Sequence, residues 1–194
     1  MESLDRAADA LRDGDLVVYP TETVYGLGAN ALDPDAVARV FDAKGRDHSK
    51  PISLAAPSVE VATAWVSPSE RGRALMDEFL PGPVTVICER RPVVPDVLTA
   101  GRDRVGVRVP AHDLALDLLD RVAPITATSA NASGRPSVRR IEDLEPDLRD
   151  AVTAVVDGGV CPGTESTVVD PDRGVIHRRG ALADEIAAWL DRRA

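Results

Sequence analysis

The sequence predicts an α/β fold, and two observations lead to that prediction. Short apolar runs typical of buried strands alternate with amphipathic segments typical of helices along the whole chain. No shift in composition, Gly/Ser-rich linker or internal repeat divides the 194 residues. We therefore expect one domain over residues 1–194. Its core is expected to consist of Val, Ala, Leu and Ile, because only 3% of the residues are aromatic.

Caps and hydrophobic periodicity predict the elements of the N-terminal half. A helix over residues 3–13 precedes a buried strand over residues 15–20. Asp33 is a capping carboxylate followed by a proline, and the helix that begins there, Pro34–Lys44, is expected to end at Gly45. A strand over residues 52–55 follows. Two serine-capped helices are predicted next, from Ser58 to about Val66 and from Ser67 or Ser69 to about Phe79.

The C-terminal half continues the alternation. Strands are predicted at residues 84–88, 105–109, 125–128, 152–156, 166–169 and 174–177. Helices are predicted at residues 113–121, 141–150 and 181–192. The proline-rich segments 81–83 and 91–95 are expected to be turns or loops.

Composition excludes several classes of protein. The formal charge of −9 argues against a general nucleic-acid coat, which needs a broad basic surface. The polar N-terminus lacks an apolar signal segment, and no stretch approaches the length of a transmembrane helix. Cys88 and Cys161 form neither a metal-binding pattern nor a disulfide framework. We therefore expect a soluble, cytoplasmic protein that does not associate with membranes.

The two lysines of the chain form one cationic cluster. Lys44 and Lys50 lie on either side of Arg46, and the other basic residues are arginines. Lysine is a compact point charge, whereas arginine is a planar fork, so the cluster could hold a phosphate or carboxylate through both kinds of group. The alternative is that cations stabilise a helix C-terminus, but this explains Lys44 and not Lys50. We interpret the cluster as a ligand-binding segment.

Three further segments concentrate small polar residues after predicted strands. Residues 20–28 offer the hydroxyls of Thr21 and Thr23 beside flexible glycines. Residues 125–137 are rich in hydroxyl and amide side chains, and residues 162–167 form a similar loop. Such loops hold phosphate or sugar oxygens, although ordinary turns have the same composition. Neither a dinucleotide fingerprint nor a Walker A motif is present.

A cation also lies within a strand that is otherwise apolar enough to be buried. Arg108 needs a partner there, either a structural carboxylate or the carboxylate of a ligand, and a structural salt bridge is the default interpretation. Ser129 has no nucleophile-elbow context, which argues against a hydrolase triad. The three histidines lack the spacing of zinc ligands.

Taken in chain order, these segments resemble the Sua5/YrdC family of threonylcarbamoyl-AMP synthases. The matching positions are residues 20–28, the K-x-R motif at Lys44 and Arg46, the S-x-N motif at Ser129 and Asn131, residues 133–137, residues 165–167, and Arg178. Each motif is short, but the ordered set runs from about residue 15 to residue 180 and is specific. The chain resembles the short form of the family, and we expect it to lack the additional C-terminal domain of longer members.

The resemblance implies a single YrdC-like domain in which a twisted mixed sheet is flanked by helices. It also implies a nucleotidyltransferase that forms threonylcarbamoyl-AMP and pyrophosphate from L-threonine, bicarbonate or CO2, and ATP, with Mg2+ accompanying the ATP. A partner transferase complex would then modify adenosine 37 of tRNA (t6A37). The tRNA itself is therefore expected to be an indirect partner.

The resemblance further implies roles for individual residues. Threonine would be held by Thr23, Arg108 and Ser166, and the Arg108 guanidinium would pair with the threonine carboxylate. Lys44 and Arg46 would be the catalytic residues. ATP would be bound by Lys44, Arg46, Lys50, Ser129, Asn131, Ser137 and Arg178.

Two positions depart from the family pattern, and two other functions stay open. Ala55 stands where the family often has a histidine near the threonine, and Lys50 stands where some relatives have asparagine. One alternative is a carbamoyl-adenylate-forming domain like that of hydrogenase-maturation carbamoyltransferases, although the segments that accompany it there are absent from this sequence. The other is an RNA-binding YrdC-like module without synthase activity, against which the negative charge and the few aromatic residues argue.

Overall fold

The computed structural model describes residues 2–193, and their strands form one mixed sheet of ten. The strands are Val17–Tyr19 (β1), Gly26–Gly28 (β2), Ser53–Ala55 (β3), Val66–Ser67 (β4), Val84–Arg90 (β5), Arg104–Arg108 (β6), Ile125–Ser129 (β7), Ala154–Val155 (β8), Thr167–Asp170 (β9) and Val175–Arg178 (β10). Their order is β10-β9-β5-β6-β3-β7-β2-β1-β8, and β4 pairs with the far end of β5. The pairs β1–β8, β3–β6 and β5–β9 are parallel, and the others are antiparallel.

Eight α-helices and one 3₁₀ turn of the described residues connect the strands. The helices are Glu2–Arg12 (α1), Pro34–Lys44 (α2), Val59–Ala62 (α3), Glu70–Phe79 (α4), Asp96–Thr99 (α5), Asp113–Arg121 (α6), Pro146–Ala151 (α7) and Ala183–Asp191 (α8), and the 3₁₀ turn is Ile141–Asp143. No helix between residues 2 and 193 has the length and apolar character needed to cross a membrane.

Alternation along the strands gives the sheet two different faces. On β6, Val105 and Val107 are buried in the larger hydrophobic core, together with Leu54 of β3. Arg104 and Arg108 alternate with these valines and line a cavity on the opposite side. The same short strand therefore supplies both an apolar layer and a charged one.

The helices cover the two faces unequally. Residues of α2, α4, α5, α7 and α8 belong to the core cluster that contains Val105 and Val107. Helices α1 and α6 instead pack in a second cluster around Val17, Tyr19 and Ile125. Tyr19 also lines the cavity, so α1 and α6 lie on the same face of the sheet as the cavity. They cover that face near β1 and leave the part over β3, β5 and β6 open.

The predicted fold class is confirmed, and several elements have the predicted bounds. Pro34–Lys44 and Asp113–Arg121 begin and end at the predicted residues, and Ser58 and Ser69 cap the helices α3 and α4. Met1 and Ala194, the ends of the predicted domain, lie outside the described residues. The division of the chain into one domain stays a prediction.

Three local predictions were wrong. Gly26–Gly28 is a strand between β1 and β7 and not part of a loop. The helix capped by Ser58 ends at Ala62, and Val66 pairs in β4. The predicted helix over 141–150 is divided, since Pro146 lacks an N–H and starts a new helix. The helical turn α5 follows the predicted loop at residues 91–95, in a stretch for which no element was predicted.

Helix α2 places the cationic cluster, and its two ends follow the sequence signals. The Asp33 carboxylate accepts hydrogen bonds from the backbone N–H groups of Asp35 at 2.9 Å and Ala36 at 3.3 Å. At the other end Gly45 is left-handed, with φ 55°, and its N–H bonds to the Asp42 carbonyl. The chain therefore turns sharply directly after Lys44.

We predict that Asp33→Ala lowers the free energy of unfolding by about 1 kcal/mol, because two N–H groups of the first turn of α2 lose their acceptor. Urea unfolding followed by circular dichroism measures the change. Asp33→Asn keeps a capping oxygen and is the matched control, for which we expect a change several times smaller. Equal losses in the two variants would contradict a capping role for Asp33.

Candidate functional site

A cavity of about 670 Å³ lies on the open part of the sheet. Its floor is made of alternate strand residues, most of them small or polar: Gly26, Ser53, Ala55, Thr85, Gly106, Ala127 and Ser129. At Gly106 an added Cβ would lie 2.3 Å from the Ser53 hydroxyl oxygen, so the floor has no room for a larger residue there. The volume falls in the range of sites for small molecules and cofactors.

The lining of the cavity is positively charged although the chain is acidic. Six arginines face it: Arg46, Arg102, Arg104, Arg108, Arg173 and Arg178. Three carboxylate side chains, of Asp103, Glu165 and Asp170, oppose them. A concave site with a positive lining attracts anionic ligands.

The guanidinium groups of Arg46, Arg108 and Arg178 influence one another. Burial lowers the pKa of Arg46, and the charge of Arg178 lowers it further. Burial also lowers the pKa of Arg178, Glu165 opposes that shift, and Arg108 adds to it. Like charges held this close favour binding of an anion between them.

Hydrogen bonds to the protein fix two of these guanidinium groups. Arg46 donates from Nε to the Lys50 carbonyl at 3.1 Å and from Nη2 to the Pro51 carbonyl at 3.0 Å. Arg178 donates from Nε to the Ser166 carbonyl at 3.0 Å and from Nη2 to the Ser166 hydroxyl at 2.8 Å. Both side chains are therefore oriented before any ligand binds.

Arg108 has the structural partner that the sequence left open. Its Nη2 atom donates to Glu22 Oε1 at 2.8 Å and to Thr23 Oγ1 at 2.7 Å. The Arg108 Nε atom and Glu22 Oε2 are buried without a partner among the described residues. The ion pair is thus monodentate, and it leaves part of the guanidinium uncommitted beside the cavity. Ala55 lies next to Arg108, in parallel register on β3.

The two lysines differ in their surroundings. Lys44 is 3% exposed and donates through Nζ to the carbonyl oxygens of Ser129 and, at 2.6 Å, Asn131. Burial, followed by the charge of Arg46, lowers the pKa of Lys44 to about 8. Lys50 is exposed, and its ammonium has no hydrogen-bond partner in residues 2–193. Of the two ammonium groups, the one of Lys44 is therefore buried and the one of Lys50 is exposed to solvent.

The hydroxyl-rich segments meet on one side of the cavity. Ser129 ends β7 opposite Gly26 and lines the cavity. Ser137 donates to Glu165 Oε1 at 2.9 Å, and Glu165 Oε2 lies 3.4 Å from Arg178 Nη1. The chain from Ser137 through Glu165 to Arg178 therefore ties the loop after β7 to the loop before β9.

Two predicted residues are buried beneath these loops. The Asn131 amide donates to the carbonyls of Ala132 at 2.9 Å and Arg135 at 2.8 Å, while its oxygen Oδ1 is buried without a partner among the described residues. Ser166 is 2% exposed and lies 3.3 Å from the Thr85 hydroxyl.

The structure brings six of the ten predicted site residues to the cavity wall: Thr23, Arg46, Arg108, Ser129, Ser166 and Arg178. Lys44, Lys50, Asn131 and Ser137 lie around it, outside its lining. The roles of all ten stay predictions. The sequence interpretation assigned no role to the other ionisable lining residues: Arg102, Asp103, Arg104, Glu165, Asp170, Arg173 and His177. Arg104 had a signal, because it is four residues before Arg108 in the same strand and so shares its face.

Comparison with known proteins gives consistent matches. The Sua5/YciO/YrdC family model, described as "Telomere recombination", matches residues 9–180. The chain is 44% identical over 167 residues to the threonylcarbamoyl-AMP synthase of Pyrococcus abyssi (strain GE5 / Orsay), covering 84% of this chain and 49% of that protein. It is 40% identical over 189 residues to the threonylcarbamoyl-AMP synthase of Bacillus subtilis (strain 168), covering 93% of this chain and 54% of that protein.

A solved structure extends the comparison to the fold. The crystal structure of P. abyssi Sua5 complexed with L-threonine superimposes with a TM-score of 0.87 at 42% identity, over 91% of this chain and 54% of that chain. The chain spans about half the length of the curated relatives it matches.

We predict that inorganic pyrophosphate stabilises the protein, because an anion relieves the repulsion among the cavity arginines. At about 100 times its dissociation constant it should add about 2.7 kcal/mol to the free energy of unfolding. Thermal unfolding with and without pyrophosphate measures the increment. We expect Arg46→Gln and Arg178→Gln to reduce the increment. Arg12→Gln, which breaks an exposed pair with Asp9 on α1, should leave it unchanged. An equal loss in all three variants would mean that the anion binds elsewhere.

Proposed function

The chain belongs to the Sua5/YciO/YrdC family, and from this membership we propose that it is an L-threonylcarbamoyladenylate synthase. It would form threonylcarbamoyl-AMP and pyrophosphate from L-threonine, bicarbonate or CO2, and ATP. The product would supply a threonylcarbamoyl transferase complex that modifies adenosine 37 of tRNA, which makes tRNA an indirect partner. This reaction would make the protein a nucleotidyltransferase. We propose that it acts in the cytoplasm.

One observation carries the proposal: two mutually repelling arginines, Arg46 and Arg178, and a third with an unpaired Nε atom, Arg108, line one cavity. The charge of Arg178 lowers the pKa of Arg46, as expected of side chains placed to hold phosphates together. Arg108 lies nearby with its Nε atom unpaired. The substrates of the proposed reaction need both kinds of site, because ATP carries several negative charges and threonine carries one carboxylate.

Threonine would bind in the part of the cavity that Arg108, Thr23 and Ser166 line. The uncommitted part of the Arg108 guanidinium would pair with the threonine carboxylate. Thr23 is already fixed by Arg108 and by the Thr21 hydroxyl at 2.8 Å, and Ser166 is fixed by Arg178. The open floor at Ala55 leaves space for the threonine side chain beside Arg108.

ATP would bind across the hydroxyl-rich loops. Arg46, Arg178 and, from outside, Lys50 would hold the phosphates. Ser129 ends β7, Asn131 and Ser137 lie on the loop that follows it, and Lys44 supports the start of that loop. Cationic groups oriented in advance stabilise the charge that develops as pyrophosphate leaves.

The proposed reaction has two steps. The amine of threonine combines with CO2 to form an N-carboxylate and releases a proton. A carboxylate oxygen then attacks the α-phosphorus of ATP, and the bond to the β-phosphate oxygen breaks to release pyrophosphate. Holding both substrates in one cavity turns the encounter into an intramolecular one, which removes much of its entropic cost.

Mg2+ is proposed to enter with ATP. Nucleotide-bound Mg2+ takes most of its ligands from phosphate oxygens and water, with one or two carboxylates. Glu165, which is half-exposed, lines the cavity and pairs with Arg178, is a carboxylate of this kind. The ion would neutralise charge on the triphosphate, while the arginines orient it.

We predict that pyrophosphate release from ATP requires both L-threonine and bicarbonate. Arg46→Ala should reduce it by about 100-fold, the usual cost of losing one oriented donor at a site of developing charge. A coupled pyrophosphate assay measures the rate, and Arg12→Ala is the control. Near-normal turnover in Arg46→Ala would contradict the phosphate role. RNA binding without threonine-dependent turnover would instead favour a non-enzymatic RNA-binding module.

We predict that Arg108→Gln raises the KM for threonine by about 10- to 100-fold, because a hydrogen bond to a charged group is lost. The KM for ATP should change much less. Steady-state kinetics with each substrate varied in turn separates the two effects, and thermal unfolding reports whether loss of the Glu22 pair weakens the fold. A larger increase in the KM for ATP than for threonine would exclude Arg108 from the threonine site.

A further inference from the structure

Lys44 is a buried cation without an acidic partner. It is 3% exposed, and it forms no ion pair with any carboxylate in the part of the chain that the structure describes. Buried lysines are rare unless their charge is compensated. Here the compensation comes from two main-chain carbonyl oxygens, of Ser129 and Asn131.

These carbonyls belong to one turn, residues 129–133, which wraps the end of α2. The Ser133 N–H donates back to the Lys44 carbonyl at 2.8 Å, so the lysine holds the turn through its side chain and its backbone. Ala130 is tied at the same time to the Tyr25 carbonyl at 2.8 Å. The ammonium draws two carbonyl oxygens inward, toward the helix end. Both oxygens are therefore engaged by a cation that lies outside the lining of the cavity, whereas Ser129 belongs to that lining.

We propose that Lys44 is a positioning residue: it fixes the turn at residues 129–133 from behind, so that the turn can receive the nucleotide, and it does not touch the triphosphate. The identity of the ligand rests on the proposed function. The contacts between Lys44 and the turn do not depend on the proposed function, because they are present without any ligand. This role differs from the direct phosphate contact that the K-x-R motif implies.

The charges around the ammonium make its protonation sensitive to a bound anion. Arg46 is the charged group whose field acts on it, and the turn at residues 129–133 carries no ionisable side chain. Further along the loop, Arg135 is paired with Glu145. An anion over the turn stabilises the ammonium and raises the pKa of Lys44 above its ligand-free value of about 8. Nucleotide affinity should therefore fall as the pH rises above 8.

Amide hydrogen exchange on the ligand-free protein tests the hold on the turn. In Lys44→Met the amides of residues 130–133 should exchange at least about tenfold faster, because hydrogen bonds from a charged donor are lost. Lys50→Met removes the same charge from an exposed position and should leave that exchange unchanged. Unchanged exchange in Lys44→Met would overturn the proposal, whatever the protein's activity.

A second measurement needs no variant at position 44. Because the chain has two lysines, selective ¹³C labelling of lysine gives two side-chain signals, which Lys50→Met assigns. The Lys44 signal should titrate near pH 8 and shift to higher pH when ADP is added. A Lys44 titration that ADP does not move would exclude the coupling between Lys44 and the anion.

Nucleotide binding separates positioning from direct contact. If Lys44 acts through the turn, Lys44→Met should weaken ATP and AMP by the same factor, and Lys44→Arg should keep its affinity above pH 8. If Lys44 touched the β- and γ-phosphates, ATP would weaken more than AMP, as we expect for Arg46→Gln, and the proposal would fail. If the wild type bound neither nucleotide, the proposed function would fail while the exchange result still decided the role of Lys44 at the turn.

Discussion

The incomplete covering of one face of the sheet is the constraint on which the rest of the structure depends. Strand β6 buries Val105 and Val107 on one side, so Arg104 and Arg108 must point to the other. Helices α1 and α6 cover that side only near β1. A guanidinium group on a covered face would cost several kcal/mol of desolvation. The open face instead places these groups beside a cavity, and the absence of a side chain at Gly106 keeps its floor clear.

The protein is acidic, but its cavity is positively charged because the fold gathers arginines from distant parts of the chain. Arg46 follows α2, Arg108 lies in the middle of the sheet, and Arg178 ends β10. Each is oriented by a protein partner, yet their charges raise one another's free energy. The free energy of folding sustains this repulsion, and an anionic ligand relieves it. Preorganisation of this kind favours binding of a polyanion over binding of a neutral molecule.

Much of the site was predictable, and the failures have physical causes. The cationic cluster, the hydroxyl-rich loops and the charged strand all adjoin the cavity, since loops that follow neighbouring strands meet at a sheet edge. The burial of individual side chains could not be predicted. Lys44 and Lys50 are the same residue type six positions apart, but Lys44 ends α2 and is buried, whereas Lys50 is exposed. Glu22 as the partner of Arg108 was also missed, because Glu22 lies in the segment after β1, 86 residues before Arg108, and only the fold brings the two side chains together.

The sequence by itself determined the fold class, the bounds of α2 and α6, and the family, because caps, periodicity and motif order are local properties. The tertiary structure decided which cations face the cavity. Which cations face the cavity depends on the order of the strands and on which face of the sheet the helices leave open. Neither property can be predicted from a short segment of the sequence. For the two lysines the decisive contact is between Lys44 and the carbonyls of Ser129 and Asn131, more than 80 residues away in sequence.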